Sequence, residues 1–101
     1  MSQPETRASL ILQLTGPRRE PAWAEFVASY EPFLMRLVQR RGVPARHAAD
    51  VTQQIFLAIA RSVSGWQDDG KPESFRRWLN RVAQNVVIRF MTRERLSLIH
   101  I

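Results

Sequence analysis

The stretch SFRRWLNRVAQNVVIRFMTRER, Ser74 to Arg95, carries two helical stripes at once. Phe75, Leu79, Val82, Val86 and Phe90 recur at steps of three and four, which places them on one face of an α-helix where they can be buried. Trp78, Arg81, Asn85 and Arg89 recur at similar steps on a neighbouring face, which is cationic with one aromatic and one amide. Between Arg76 and Arg95 six arginines stand against the single acid Glu94, so this segment holds nearly all of the chain's net charge of +6. Guanidinium groups attract phosphates, aromatics stack on bases, and an amide can bond a base edge. The same pattern also fits a plain solvated amphipathic helix, because arginine is a good helix former.

Working back from this helix, three more are expected. A short one runs from Thr6 to Leu14 and is stopped by Gly16-Pro17. A second runs from Pro21 to Arg41, with Trp23, Phe26, Val27, Tyr30, Phe33, Leu34, Leu37 and Val38 as its apolar face. Pro32 lies inside that pattern and removes a backbone bond, so a kink or break is expected there. Gly42 suits a C-cap, with Arg40 and Arg41 facing the helix dipole. A third opens near Pro44 and ends near Ser64-Gly65, with Val51, Ile55, Ala58, Ile59 and Phe56 turned inward. Trp66 to Lys71 is turn chemistry, and Pro72 begins the last helix. The expected fold class is all-α, a compact bundle of about four helices with short connections.

Composition narrows the function. A chain of 101 residues forms one small domain, and 45% hydrophobic residues support a folded core. The absence of cysteine excludes disulfides and thiolate metal sites. His47 has no paired histidine, so no metal and no cofactor is expected. Asp68-Asp69 reads as a turn rather than an acid/base pair, and there is no glycine-rich phosphate loop or nucleophile elbow. An enzyme is not expected. The excess of basic residues points to an anionic partner, either nucleic acid or an acidic membrane surface. Asp50, Gln53, Gln54 and Leu57 share one face of the third helix, a polar face with an apolar edge that suits either solvent or a partner protein's helix.

Two separated motifs resemble region 2 of bacterial sigma factors of the extracytoplasmic-function (ECF) group. AADVTQQIFLAIAR (Ala48 to Arg61) is similar to that family's D-x-x-Q-E-x-F pattern through Asp50, Gln53, Gln54 and Phe56, with Gln54 where the family usually has glutamate. SFRRWLNRVAQN (Ser74 to Asn85) is similar to its F-x-x-W-L-x-x-[IV]-A-x-N pattern through Phe75, Trp78, Leu79, Val82, Ala83 and Asn85. Ala22 to Gly42 looks like the family's first region 2 segment. The resemblance implies a sigma region 2-like helical domain over residues 1–95 and a cytoplasmic initiation factor. That factor would bind core RNA polymerase at its β′ coiled coil and recognise and melt the promoter −10 element. Asp50, Gln53, Gln54 and Leu57 would then face polymerase. Trp66, Lys71, Arg76, Arg77, Trp78, Arg81, Asn85 and Arg89 would meet the non-template −10 strand, with Trp66 to Lys71 as a base-capturing loop. An anti-sigma factor is a further partner that the family commonly has.

The alternative is a basic amphipathic module that binds duplex DNA or an anionic membrane. Membrane binding is disfavoured because the core needs the apolar stripe of the last helix, and no clear helix-turn-helix is present. LSLIHI, residues 96–101, places large apolar residues after a cationic helix end and resembles translated sequencing adaptor, so it is expected to be a non-native or frayed tail. The family's second domain, region 4, which reads the −35 element, is not expected within these residues.

Overall fold

A computed structural model describes Leu14 and residues 19–62 and 72–99, without the side chains of residues 19, 72–74, 98 and 99. Its helices are α1 (Arg19–Arg40), α2 (Ala45–Ser62) and α3 (Pro72–Ile99). The all-α class is as expected. The helix expected over Thr6 to Leu14 lies outside the described residues, apart from Leu14 itself. That residue is buried, and its carbonyl accepts a 3.1 Å hydrogen bond from Trp23 Nε1.

Glu20 lies in the first turn of α1 and Arg40 in its last, each at the end where the macrodipole favours its charge. The helix runs through Pro32 without a break. Proline removes a donor to the carbonyl four residues earlier, on Ala28. Both Ala28 and Pro32 are exposed, so water can satisfy the orphaned group. The end of α1 is sharply specified. Gly42 N–H donates to the Gln39 carbonyl at 3.1 Å, and Val43 N–H donates to the Val38 carbonyl at 3.0 Å. This is the Schellman pattern, and the buried pair Val38 and Val43 supplies its usual apolar contact. Gly42 sits at φ +103°, a region that any side chain would strain. Only two residues, Val43 and Pro44, then separate the turn from α2.

α2 packs against both α1 and α3, which meet each other over a smaller seam. Phe26 stands at the junction, fully buried. Its ring stacks on Tyr30 at 4.7 Å and meets Trp23, Phe56 and Phe75 edge-on at 5.6, 6.0 and 6.2 Å. These separations fall in the range where aromatic pairs add stability beyond area burial. The single ring thus touches side chains from all three helices.

The buried face of α2 is Ala48, Val51, Thr52, Ile55, Phe56 and Ile59. Ala58, expected inside, is only half-buried. Thr52, 1% exposed, places its hydroxyl 3.4 Å from the Met35 sulfur. On α3 the core takes Phe75, Leu79, Ala83, Val86, Val87 and Phe90. Val82, placed in the stripe from spacing alone, is half-buried instead. The inner face is rotated toward Ala83 and Val87, because α1 packs on that side as well as α2. α3 continues past Arg95 through Ile99, with Leu96 and Ser97 exposed.

Replacing Phe26 with alanine removes the ring shared by the three helices and leaves a cavity. Denaturant unfolding should show a loss of about 3–5 kcal/mol, a large part of the stability of a domain this size. A loss below about 1 kcal/mol would mean that the junction is not packed as described.

Candidate functional site

α3 carries the cationic surface. Arg77, Asn80, Arg81, Gln84 and Asn85 line one shallow recess. At roughly 100° per residue they fall on the side of the helix away from Phe75, Leu79 and Ala83. All but the half-buried Asn80 are exposed. Two guanidinium groups and three amides therefore share about two turns of helix, a set able to hold phosphates and bond base edges together. Asn80 and Gln84 were not singled out from sequence. Their available signal was their spacing of three or four from Arg77, Arg81 and each other.

The remaining expected nucleic-acid residues divide. Trp78 is half-buried against the core, with its ring 5.6 Å from that of Phe75 at 43°. Its role at the bundle edge is therefore partly structural. Arg76 is exposed but leaves the helix about 200° around from Trp78, so it does not share the face of Arg81 and Asn85. Arg89 donates from Nε to the Asn85 carbonyl at 3.4 Å and turns toward α2. Trp66 and Lys71, with the loop between them, lie outside the described residues.

On α2, Asp50 and Gln53 are exposed, Gln54 is half-buried and Leu57 is 59% exposed. A leucine exposed to that extent at mid-helix contributes little to the core. Gln54 donates from Nε2 to Asp50 Oδ2 at 3.2 Å and accepts at Oε1 from Arg93 Nη2 at 3.3 Å. The first bond is the ordinary i, i+4 contact of a helix. The second crosses to α3 and could not be read from spacing. A glutamate at position 54 would make that contact an ion pair, whereas glutamine makes it a hydrogen bond to a neutral oxygen. Gln54, Leu57, Ala58 and Arg61 of α2 line a groove with Val86, Arg89 and Arg93 of α3. Two of the four residues expected to face polymerase, Gln54 and Leu57, thus meet the last residue of the expected DNA stripe, while Asp50 and Gln53 lie outside the groove.

Other chemistries find little support in the described residues. No group of three or more His, Cys, Asp and Glu is placed to hold a metal ion. His47 is half-buried with its ring 5.3 Å from Phe90. No described helix is long and apolar enough to cross a membrane. Phe90 is buried as the core required, while Ile88, Met91 and Leu96 remain exposed at 52%, 36% and 49%. At about 100° per residue Arg81, Gln84 and Arg95 fall within the same arc of the helix, so the three do not form an unbroken lipid-facing stripe.

The Sigma-70 region 2 family model matches residues 26–96. The chain is also 29% identical over 90 residues to the ECF RNA polymerase sigma factor SigE of Mycolicibacterium smegmatis, a match covering 88% of this chain. It spans about a third, 34%, of that relative's length. No solved structure matches. The matched span begins at Phe26, the ring at the helix junction, and takes in both the exposed face of α2 and the cationic face of α3. By that match and the packing beneath it, the chain belongs to the sigma-70 region 2 family, as its two motifs implied.

Proposed function

We propose that this chain is the part of a bacterial sigma factor that binds core RNA polymerase and recognises and melts the promoter −10 element. Sigma factors serve transcription initiation and are not enzymes, in keeping with a described surface built of binding groups. The observation that carries the reading is the separation of two unlike faces. Asp50, Gln53, Gln54 and Leu57 present acid, amide and an exposed leucine on α2, chemistry suited to a protein. Arg77, Arg81 and Asn85 present cations and an amide on α3, chemistry suited to a nucleic-acid strand.

In this reading α2 docks on the β′ coiled coil, which holds α3 against promoter DNA. Unstacking a base costs a few kcal/mol, so an opening protein must bind the separated strand better than the duplex. Arg77 and Arg81 hold phosphates irrespective of sequence, and Arg76 adds charge from the side. Asn85, with Asn80 and Gln84 beside it, offers donors and acceptors to base edges that the duplex hides. The outer part of Trp78 offers a limited stacking surface. Trp66 and Lys71 belong to the proposed base-capturing loop. The setting is the cytoplasm, where polymerase and promoter are found, and an anti-sigma factor is a natural regulator of either face.

Binding to single-stranded −10-like oligonucleotides, titrated across salt concentrations, separates these roles. Arg77→Ala and Arg81→Ala should each weaken all sequences alike and reduce the salt slope by up to about 0.7. Asn85→Ala should instead flatten discrimination among −10 variants more than it lowers overall affinity. Equal losses on every sequence from all three variants would remove Asn85 from base reading.

Asp50→Arg or Gln53→Arg should abolish binding to core RNA polymerase while changing stability by no more than about 0.5 kcal/mol, since both positions are exposed. Pull-down on core polymerase, paired with thermal unfolding, checks both halves. Unimpaired polymerase binding would place the docking face elsewhere.

A further inference from the structure

We infer that the groove between α2 and α3 takes an acidic segment of the polymerase, seating one apolar side chain between carboxylates. The inference rests on the proposal that α2 is the polymerase face. It adds the chemistry that the partner must bring, and it moves Arg89 from the DNA contact to the protein contact. The groove encloses about 240 Å³. An apolar cavity of about 150 Å³ accepts a benzene, so this one has room for a large side chain. Its apolar floor is the buried Val86 and half-buried Ala58 with the exposed Leu57 beside them, and Gln54, Arg61, Arg89 and Arg93 make up its larger, polar walls. No acid is among its described lining residues.

The arginines are held in place. Arg61 Nε donates to the Leu57 carbonyl at 3.4 Å, Arg89 Nε to the Asn85 carbonyl at 3.4 Å, and Arg93 Nη2 to Gln54 Oε1 at 3.3 Å. Each bond steadies a long side chain; the two bonds from Nε to backbone leave both terminal nitrogens of Arg61 and Arg89 for a ligand, in the planar geometry that matches a carboxylate. Carboxylate and phosphate both satisfy such a fork, and the floor decides between them. A sugar-phosphate strand gains little from Leu57, Ala58 and Val86. A protein segment with a leucine or phenylalanine between two acids uses the floor and the walls together. Cations around a small apolar floor, beside the exposed acid Asp50, also set the register in which a partner of mixed charge can dock.

The test measures binding of the whole chain to core RNA polymerase and, in parallel, to a single-stranded −10-like oligonucleotide. The variants are Arg61→Glu, Arg89→Glu and Leu57→Ser, with Asp50→Arg and Arg77→Glu for comparison. The two groove reversals should each weaken polymerase binding at least about fivefold at low salt, with the deficit shrinking as salt rises. Leu57→Ser should weaken it about tenfold at all salt concentrations. Oligonucleotide affinity should stay within about twofold for the groove variants and fall for Arg77→Glu. Unchanged helicity and melting confirm that the folds are intact, and Arg89→Lys should recover part of the polymerase binding lost in Arg89→Glu. If Asp50→Arg loses polymerase and the groove variants do not, the docking reading survives and the groove inference fails. If Arg89→Glu loses the oligonucleotide but not the polymerase, Arg89 belongs to DNA and the inference fails. If every variant binds polymerase normally, the docking reading fails and the inference fails with it.

Discussion

Burial of the Phe26 ring is the constraint on which the other features depend. Three amphipathic helices cannot each cover an apolar stripe alone, and most helical stability in a protein comes from packing such a face rather than from propensity. Phe26 reaches from α1 to Phe56 on α2 and Phe75 on α3, so one side chain closes all three stripes on each other. With Phe75 held inward, the rotation of α3 follows from helix geometry. The arginines at 77 and 81 must then point away from the core, and Asn85 comes with them. The surface that meets a ligand is in this sense an outcome of the packing beneath it.

The turn at Gly42 performs the same service for α2. A left-handed residue caps α1, and only Val43 and Pro44 precede α2, so the angle between the two helices has little freedom. A 3.0 Å bond from Arg41 Nη1 to Gln84 Oε1 fastens the turn to α3. On the other side of α3, the bond from Arg93 to Gln54 fastens the outer half of α2. Both links are exposed and individually weak. They add to the core packing that sets how α2 and α3 lie against each other, and preorganisation of this kind lowers the ordering cost of docking.

Much of this was legible because helices write their faces into spacing. Phe75, Leu79, Val86 and Phe90 stood out as an inner stripe, and Arg81 and Asn85 as an outer one. What spacing could not show was where the stripe centres. Ala83 and Val87 are buried and Val82 is only half so, since two neighbouring helices rather than one set the inward direction. Pro32 was read by its local chemistry, while the helix continues because the lost bond faces water. The two candidate faces could each be traced along one helix. Their junction at Gln54, Leu57, Arg89 and Arg93 could not, because it joins residues about 35 positions apart through tertiary packing. The family match supports the order of the two motifs and does not bear on that junction.

One small bundle separates two surfaces: polymerase docks on α2 and the groove it forms with the outer part of α3, and the strand binds α3 over residues 77–85. Backbone amide exchange of the chain, measured alone, with core RNA polymerase and with a single-stranded −10 oligonucleotide, tests this separation most directly. Polymerase should slow exchange chiefly over residues 50–61 and, through the groove, 86–93, and the oligonucleotide chiefly over residues 77–85, with little overlap. Protection of the same segment by both ligands, or polymerase protection confined to α3, would contradict the account.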